Sequence, residues 1–163
     1  MKKILMCLSL CLMLFGCNST SNYKRSEEMA TINNTTWESV MDRKENDETF
    51  MFMVTYEECT SCEFFIENVL SDYLTNHGFE LNRVNFTNDL WSELKDEVRQ
   101  FVIANPYTSD IQDKVQDYEE GMLLTPSLYF IEDGEVKDML VGGDIEEAEL
   151  DAMIMKYRLD EVK

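Results

Sequence analysis

Residues 50–56 read Phe-Met-Phe-Met-Val-Thr-Tyr, and after Glu57-Glu58 the chain continues Cys59-Thr60-Ser61-Cys62. A run that is apolar at alternate and intervening positions alike suits a central strand covered by helices on both faces. Behind the cysteines, Phe65, Ile66, Val69, Leu70, Tyr73 and Leu74 recur at helical spacing on the face of Cys62. Gly78 is expected to stop this helix by taking a positive φ. A buried strand that delivers a dithiol to the first turn of a helix is an arrangement suited to thiol–disulfide chemistry.

The rest of the chain fits around that unit. Thr35-Thr36-Trp37-Glu38 has the capping-box pattern, with Thr35 as cap, and starts a short amphipathic helix through Val40 and Met41. Alternation over 79–86 predicts a second strand. Trp91, Leu94, Val98, Phe101 and Val102 predict a helix that ends before Asn105-Pro106. A further helix is expected over 110–118, capped by Asp110. Residues 123–130 then give a third strand with Thr125-Pro126 near its start, where the missing amide is tolerated. Glu132-Asp133-Gly134-Glu135 is a hairpin signal, and 136–141 returns as the fourth strand. Gly142-Gly143 breaks it, and Asp144 is expected to cap a last helix carrying Ile145, Leu150, Met153, Ile154 and Tyr157.

This order of elements, with Cys59-Thr60-Ser61-Cys62 followed by Thr125-Pro126-Ser127-Leu128-Tyr129-Phe130, Asp133-Gly134 and Gly142, resembles the thioredoxin-like superfamily over about residues 35–160. The resemblance implies an α/β fold: a central mixed four-stranded sheet flanked by helices, with Pro126 in a cis peptide bond beside the dithiol. Residues 88–120 exceed what compact members need, which predicts a helical insertion between the second strand and the Pro-led hairpin. Cys59 is implied as the attacking sulfur and Cys62 as the one that resolves the mixed disulfide, with no cofactor beyond the redox-active Cys59–Cys62 disulfide. Glu57, Glu58, Thr60, Ser61 and Thr125 would be the neighbours of these three site residues. Within the superfamily the likeness is to small lipoprotein or bacteriocin-accessory proteins of bacteria.

Two local features pull on Cys59 in opposite directions. The free amides and the dipole at a helix start favour a thiolate, with Thr60 and Ser61 offering hydroxyls. Glu57 and Glu58 oppose it. The chain also departs from thioredoxins, which carry Trp-Cys-Gly-Pro-Cys and a buried strand aspartate that aligns here with Met53. Glu57 or Glu58 is the candidate replacement proton acceptor for Cys62. The sequence does not choose between oxidant and reductant. A zinc site would need a second pair of ligands that the chain lacks. A static clip closing so short a loop gains little entropy. Tyr56 and Phe64 flank the pair as a candidate apolar rim, and His77 is expected to face solvent.

The N-terminus reads as an address. Lys2-Lys3 precedes an apolar run over 4–15, too short to span a bilayer and shaped like a secretory signal. It ends in Leu14-Phe15-Gly16-Cys17, which resembles a bacterial lipobox and implies a leader over 1–16 with lipidation at Cys17. Residues 17–34 are polar and unpatterned, a tether to a domain over 35–163. Two acyl chains hold a protein to a membrane where one is marginal. The expected location is the bacterial cell envelope, lipid-anchored on its extracytoplasmic side, where disulfides persist. Acidic residues outnumber basic ones 33 to 14, a net charge of −19, which excludes nucleic acid as a partner by repulsion from phosphates. The expected partners are protein thiols or disulfides and a membrane or extracytoplasmic redox protein. The alternative is a redox-inactive accessory or binding lipoprotein on the same fold.

Overall fold

The computed structural model describes residues 24–26 and 30–161. The proposed leader, Cys17 and residues 18–23 lie outside them. Among the described residues no helix is long and apolar enough to cross a membrane.

The apolar run forms β2 (Phe50–Tyr56), the middle of a sheet with order β1-β3-β2-β4-β5. β1 (Thr31–Asn34) and β2 both run parallel to β3 (Glu80–Phe86), while β4 (Ser127–Glu132) runs antiparallel to β2 and to β5 (Glu135–Val141). The sheet is mixed as expected but has five strands instead of four. The added strand is the sequence Thr-Ile-Asn-Asn, expected as tether, and it pairs with β3 from Thr31↔Glu80 to Asn34↔Arg83. It is short, mostly polar and on an edge, so no burial pattern announces it.

Alternate residues of β2 and β4 feed two cores. Met51, Met53, Leu128 and Phe130 face the layer that includes Phe65, Leu70, Tyr73, Leu150 and Ile154. Phe50, Phe52, Val54, Tyr129 and Ile131 face Trp37, Val98, Phe101, Val102 and Tyr107. Covering both faces is what makes β2 apolar throughout.

The first helix, α1 (Trp37–Glu45), is capped one residue later than expected: Thr36 accepts from the Ser39 N–H at 3.2 Å. The cysteine helix is not continuous. It runs as α2 (Thr60–Phe65), a π turn (Ile66–Leu70) and α3 (Ser71–Asn76). The fully buried side chains are Cys62, Phe65, Leu70 and Tyr73. The five-residue step from Phe65 to Leu70 falls across the π turn, whose wider winding keeps both on one face. Gly78 does not provide a left-handed stop; His77 is itself extended, at φ −136° and ψ 136°. Instead the Ala30 N–H bonds the Leu74 and His77 carbonyls, at 3.2 and 2.8 Å, and satisfies the helix end from the segment before β1.

α4 (Asn88–Ala104) is capped by Thr87 and ends at Asn105 as expected. Its Val98, Phe101 and Val102 close one core. The helix expected over 110–118 shrinks to α5 (Ser109–Gln112), capped at Thr108. The chain turns away through Asp117, at φ 55°, where apolar residues are too sparse to hold a helix on the core. In the hairpin, Asp133 (φ 50°) and Gly134 (φ 71°) make the tight turn, and a Cβ on Gly134 would lie 2.6 Å from the Lys44 carbonyl. α6 (Glu147–Tyr157) is capped by Glu146 in a reciprocal box with Glu149, and not by Asp144.

Candidate functional site

β2 ends at Tyr56, and Glu58 takes φ 59°, reversing the chain into the helix. Cys59 is then the N-cap of α2, half-exposed, and Cys62 is buried one turn on, 2% exposed. The two are joined as a disulfide, with Cα atoms 5.2 Å apart. The Cys62 N–H donates to Cys59 Sγ at 3.1 Å, so an amide that a helix start leaves free is spent on the outer sulfur.

The Thr125–Pro126 peptide is cis, as the resemblance implied, and Pro126 is buried. This places Thr125 against the disulfide: its Oγ1 is 3.4 Å from Cys59 Sγ and donates to it, since a bonded sulfur only accepts. Ser61 Oγ lies 3.5 Å from the same sulfur and donates to the Thr125 carbonyl at 3.4 Å. The loop carrying Thr125 is itself held. The Leu124 N–H donates to Tyr107 Oη at 3.0 Å, and the Tyr107 and Tyr129 hydroxyls share a hydrogen bond at 3.1 Å. Burial, with Tyr107 alongside, pushes the Tyr129 hydroxyl well up, so it stays protonated.

Of the expected site residues, Cys59, Cys62, Ser61, Thr125 and Pro126 come together. Thr60 is exposed at the first position of α2, and no hydrogen bond among the described residues joins it to either sulfur. Glu57 turns to the next helix, its Oε1 accepting from the Asn88 N–H at 2.6 Å at the start of α4. Glu58 is exposed. Neither carboxylate is hydrogen-bonded to the dithiol. Met53, where thioredoxins carry an acid, is fully buried. Phe64 is 56% exposed on α2, whereas Tyr56 packs edge-to-face on Trp91 and bonds Asn88 at 2.9 Å. His77 does not face solvent freely; it stacks on Tyr73 at 3.9 Å, with Nε2 3.8 Å from Asp151.

Sequence reasoning missed Gly143 and the cleft beside it. A Cβ at Gly143 would stand 2.6 Å from the Ser61 Cβ, so only glycine lets the loop after β5 close on the cysteine helix. Against this contact opens a cleft of about 360 Å³, lined by Ser61, Thr125, Ile111, Val115, Leu124 and Val141 among others. Its outer wall comes from the α5 segment, and no local motif could have revealed that.

No protein-family model matches the chain, and no curated protein sequence does. Solved structures do. Oxidised thioredoxin from Plasmodium falciparum is 15% identical at TM-score 0.43, covering 78% of this chain and 98% of that one. Thioredoxin NaTrxh from Nicotiana alata is 14% identical at TM-score 0.47, covering 85% and 100%. Oxidised thioredoxin O1 from Arabidopsis thaliana is 14% identical at TM-score 0.46, covering 80% and 98%. The strand order, the dithiol at the helix start after β2 and the cis proline before β4 make this a thioredoxin-like fold with a disulfide at its site.

Proposed function

We propose that this chain is a membrane-tethered thiol–disulfide oxidoreductase that exchanges disulfides with protein thiols outside the cytoplasm through Cys59 and Cys62. The observation that carries the reading is the difference between the sulfurs: Cys59 is half-exposed and Cys62 is 2% exposed. An incoming thiolate therefore attacks Cys59. The Cys59–Cys62 bond breaks, Cys62 leaves as the thiolate and takes a proton, and a mixed disulfide joins Cys59 to the substrate. A second substrate thiolate attacks the substrate sulfur of that adduct and releases Cys59, so two electrons pass to the dithiol and the substrate is oxidised. Run backwards, the reduced pair delivers the same two electrons to a substrate disulfide. The Thr125 hydroxyl and the Cys62 amide are placed to stabilise negative charge on Cys59 in either direction.

The location rests on the sequence: Lys2-Lys3, the short apolar run and the lipobox-like Leu14-Phe15-Gly16-Cys17 support a lipid anchor at Cys17 in a bacterial envelope. The test is trapping in cells that express the full chain. Cys62→Ser should accumulate disulfide-linked adducts with other proteins, resolved by reducing agent on a gel, in the membrane fraction. Cys59→Ser should show none. Adducts in neither variant would leave a redox-inactive accessory protein.

A further inference from the structure

The loop that carries Thr125 to the disulfide is held at each of its residues. The Pro126 carbonyl accepts from the Gly142 N–H at 2.9 Å, the Thr125 carbonyl from Ser61 Oγ at 3.4 Å, and the Leu124 carbonyl from Ser127 Oγ. The Leu124 N–H goes elsewhere, to the Tyr107 hydroxyl at 3.0 Å. Tyr107 lies 17 residues earlier, between α4 and α5, and is 2% exposed. Three contacts fix it in place. Its carbonyl accepts from Gln112 Nε2 at 2.6 Å, its ring stands edge-on to Tyr118 at 6.4 Å, and its hydroxyl shares a bond with the Tyr129 hydroxyl at 3.1 Å. Tyr129 is fully buried on β4. A hydroxyl can accept an amide and still share a hydrogen bond with a second hydroxyl, so one oxygen ties the core strand to the loop. The connection then runs from Tyr129 through Tyr107 and the Leu124 amide to Thr125, whose Oγ1 is 3.4 Å from Cys59 Sγ.

We infer that Tyr107 is a positioning residue of the exchange reaction: by holding the Leu124 amide from inside the core, its hydroxyl keeps the Thr125 hydroxyl on the Cys59 sulfur. The inference rests on the oxidoreductase reading and adds to that site a residue that touches neither sulfur. Negative charge develops on Cys59 whenever a mixed disulfide is released, and a hydrogen bond to a charged acceptor is roughly twice as strong as a neutral one. Such a bond weakens steeply as its geometry departs from the best one. Without the Tyr107 hydroxyl, the Leu124 N–H loses its acceptor and turns toward water or another oxygen. Thr125 is the next residue, so that turn carries its hydroxyl off the sulfur. A tyrosine kept only to fill the core needs its ring and not its oxygen. Two hydroxyls brought into the interior are costly unless each is paired, and here one of them is spent on the loop.

The test alkylates the reduced full chain in a non-ionic detergent across a range of pH and follows the reaction at Cys59 by mass. Tyr107→Phe should raise the pH midpoint of that reaction by about 0.5–1 unit, the equivalent of weakening one hydrogen bond to a charged group. Thr125→Val should raise it at least as far. The double variant should match Thr125→Val, because the tyrosine acts through that hydroxyl. Tyr129→Phe, which removes only the brace, should shift the midpoint the same way by less. Tyr73→Phe loses a tyrosine hydroxyl bond too, 3.1 Å to Asp151, and should leave the midpoint where the parent has it. Glu57, Glu58 and Glu63 beside Cys59 in the chain, and Lys114 and Asp144 on the cleft wall by Ser61 and Thr125, are the same in every variant, so charge does not explain a shift. A Tyr107→Phe midpoint equal to the parent's, or a shift undiminished in the Thr125→Val background, would overturn the inference and leave the oxidoreductase reading standing. If Tyr107→Phe does not fold, Tyr129→Phe decides, and no shift there overturns the inference. A Cys59 that reacts at no pH, with the alkylating agent or with a small aromatic disulfide, would end both.

Discussion

At the end of the sheet where β2 and β3 begin, ion pairs tie separate elements together; where they finish, polar groups converge on a disulfide. The paired end holds the chain's entry into the domain. Arg25 reaches Asp151, which also accepts from Tyr73 Oη at 3.1 Å, and stands 3.3 Å from the buried Asp160. The Ser26 N–H bonds the Asp160 carbonyl at 2.7 Å, and Arg25 bridges Glu161 through the backbone. The disulfide end spends its polar groups differently: the Thr125 hydroxyl and the Cys62 amide converge on one sulfur. One end secures the fold and the other is kept open for chemistry, so substitutions should separate stability from exchange.

The largest effect is expected at Gly143→Ala. Its new methyl would sit 2.6 Å from the Ser61 Cβ, pushing the start of α2 away from Thr125. Misplacing reacting groups by about an ångström slows a reaction on the order of 10²-fold, so exchange with a small disulfide should fall by that order. Unchanged exchange would show that the close approach is not needed. At the paired end, Arg25→Ala leaves the Asp160 charge buried without its cation and should lower unfolding free energy by about 1–3 kcal/mol in urea. Its exchange rate should stay within about 2-fold of the parent, a change too small to reach the disulfide through packing. A slower exchange would break the separation of the two ends.

The smallest effect concerns pH. Burial raises the Asp160 carboxyl above its ordinary value of 3.8, and no hydrogen bond reaches either oxygen despite the nearby Arg25. The sign follows from a raised folded-state value. Below 3.8 both folded and unfolded chains hold the proton, and as pH rises through the folded value the folded chain must bury a charge that the unfolded chain solvates. Stability is lost in that window. Asp160→Asn mimics the protonated form, so urea midpoints of parent and variant should coincide near pH 3 and the variant should be the higher at pH 7. The opposite order at pH 7 would mean that the Arg25 pair outweighs the burial.

Much of this was legible because it is local. The two-faced apolarity of 50–56, the helical spacing behind Cys62 and the Asp133-Gly134 turn each encode their element within a few residues, and the structure forms them there. Pro126 was one of two prolines that could be cis, and the one facing the dithiol is. What escaped is non-local. β1 has no apolar face and exists because β3 offers it an edge. Glu57 looked like a proton acceptor from its place in sequence, and only the fold shows the Asn88 amide it serves. The end of α3 was assigned to Gly78, although Ala30, far earlier in the chain, supplies the amide that satisfies it. The π turn at Ile66–Leu70 hides in a spacing that suits an ordinary helix almost as well.

The central claim is that Cys59–Cys62 is a reversible couple open to other thiols. It is tested most directly by equilibrating the full chain in glutathione buffers and following the two cysteines by mass after alkylation. The account predicts one two-electron transition, with a midpoint between roughly −120 and −270 mV, the span of exchange-active thioredoxin-fold couples. A pair that stays oxidised until potentials below about −300 mV, the range of structural disulfides, would contradict it.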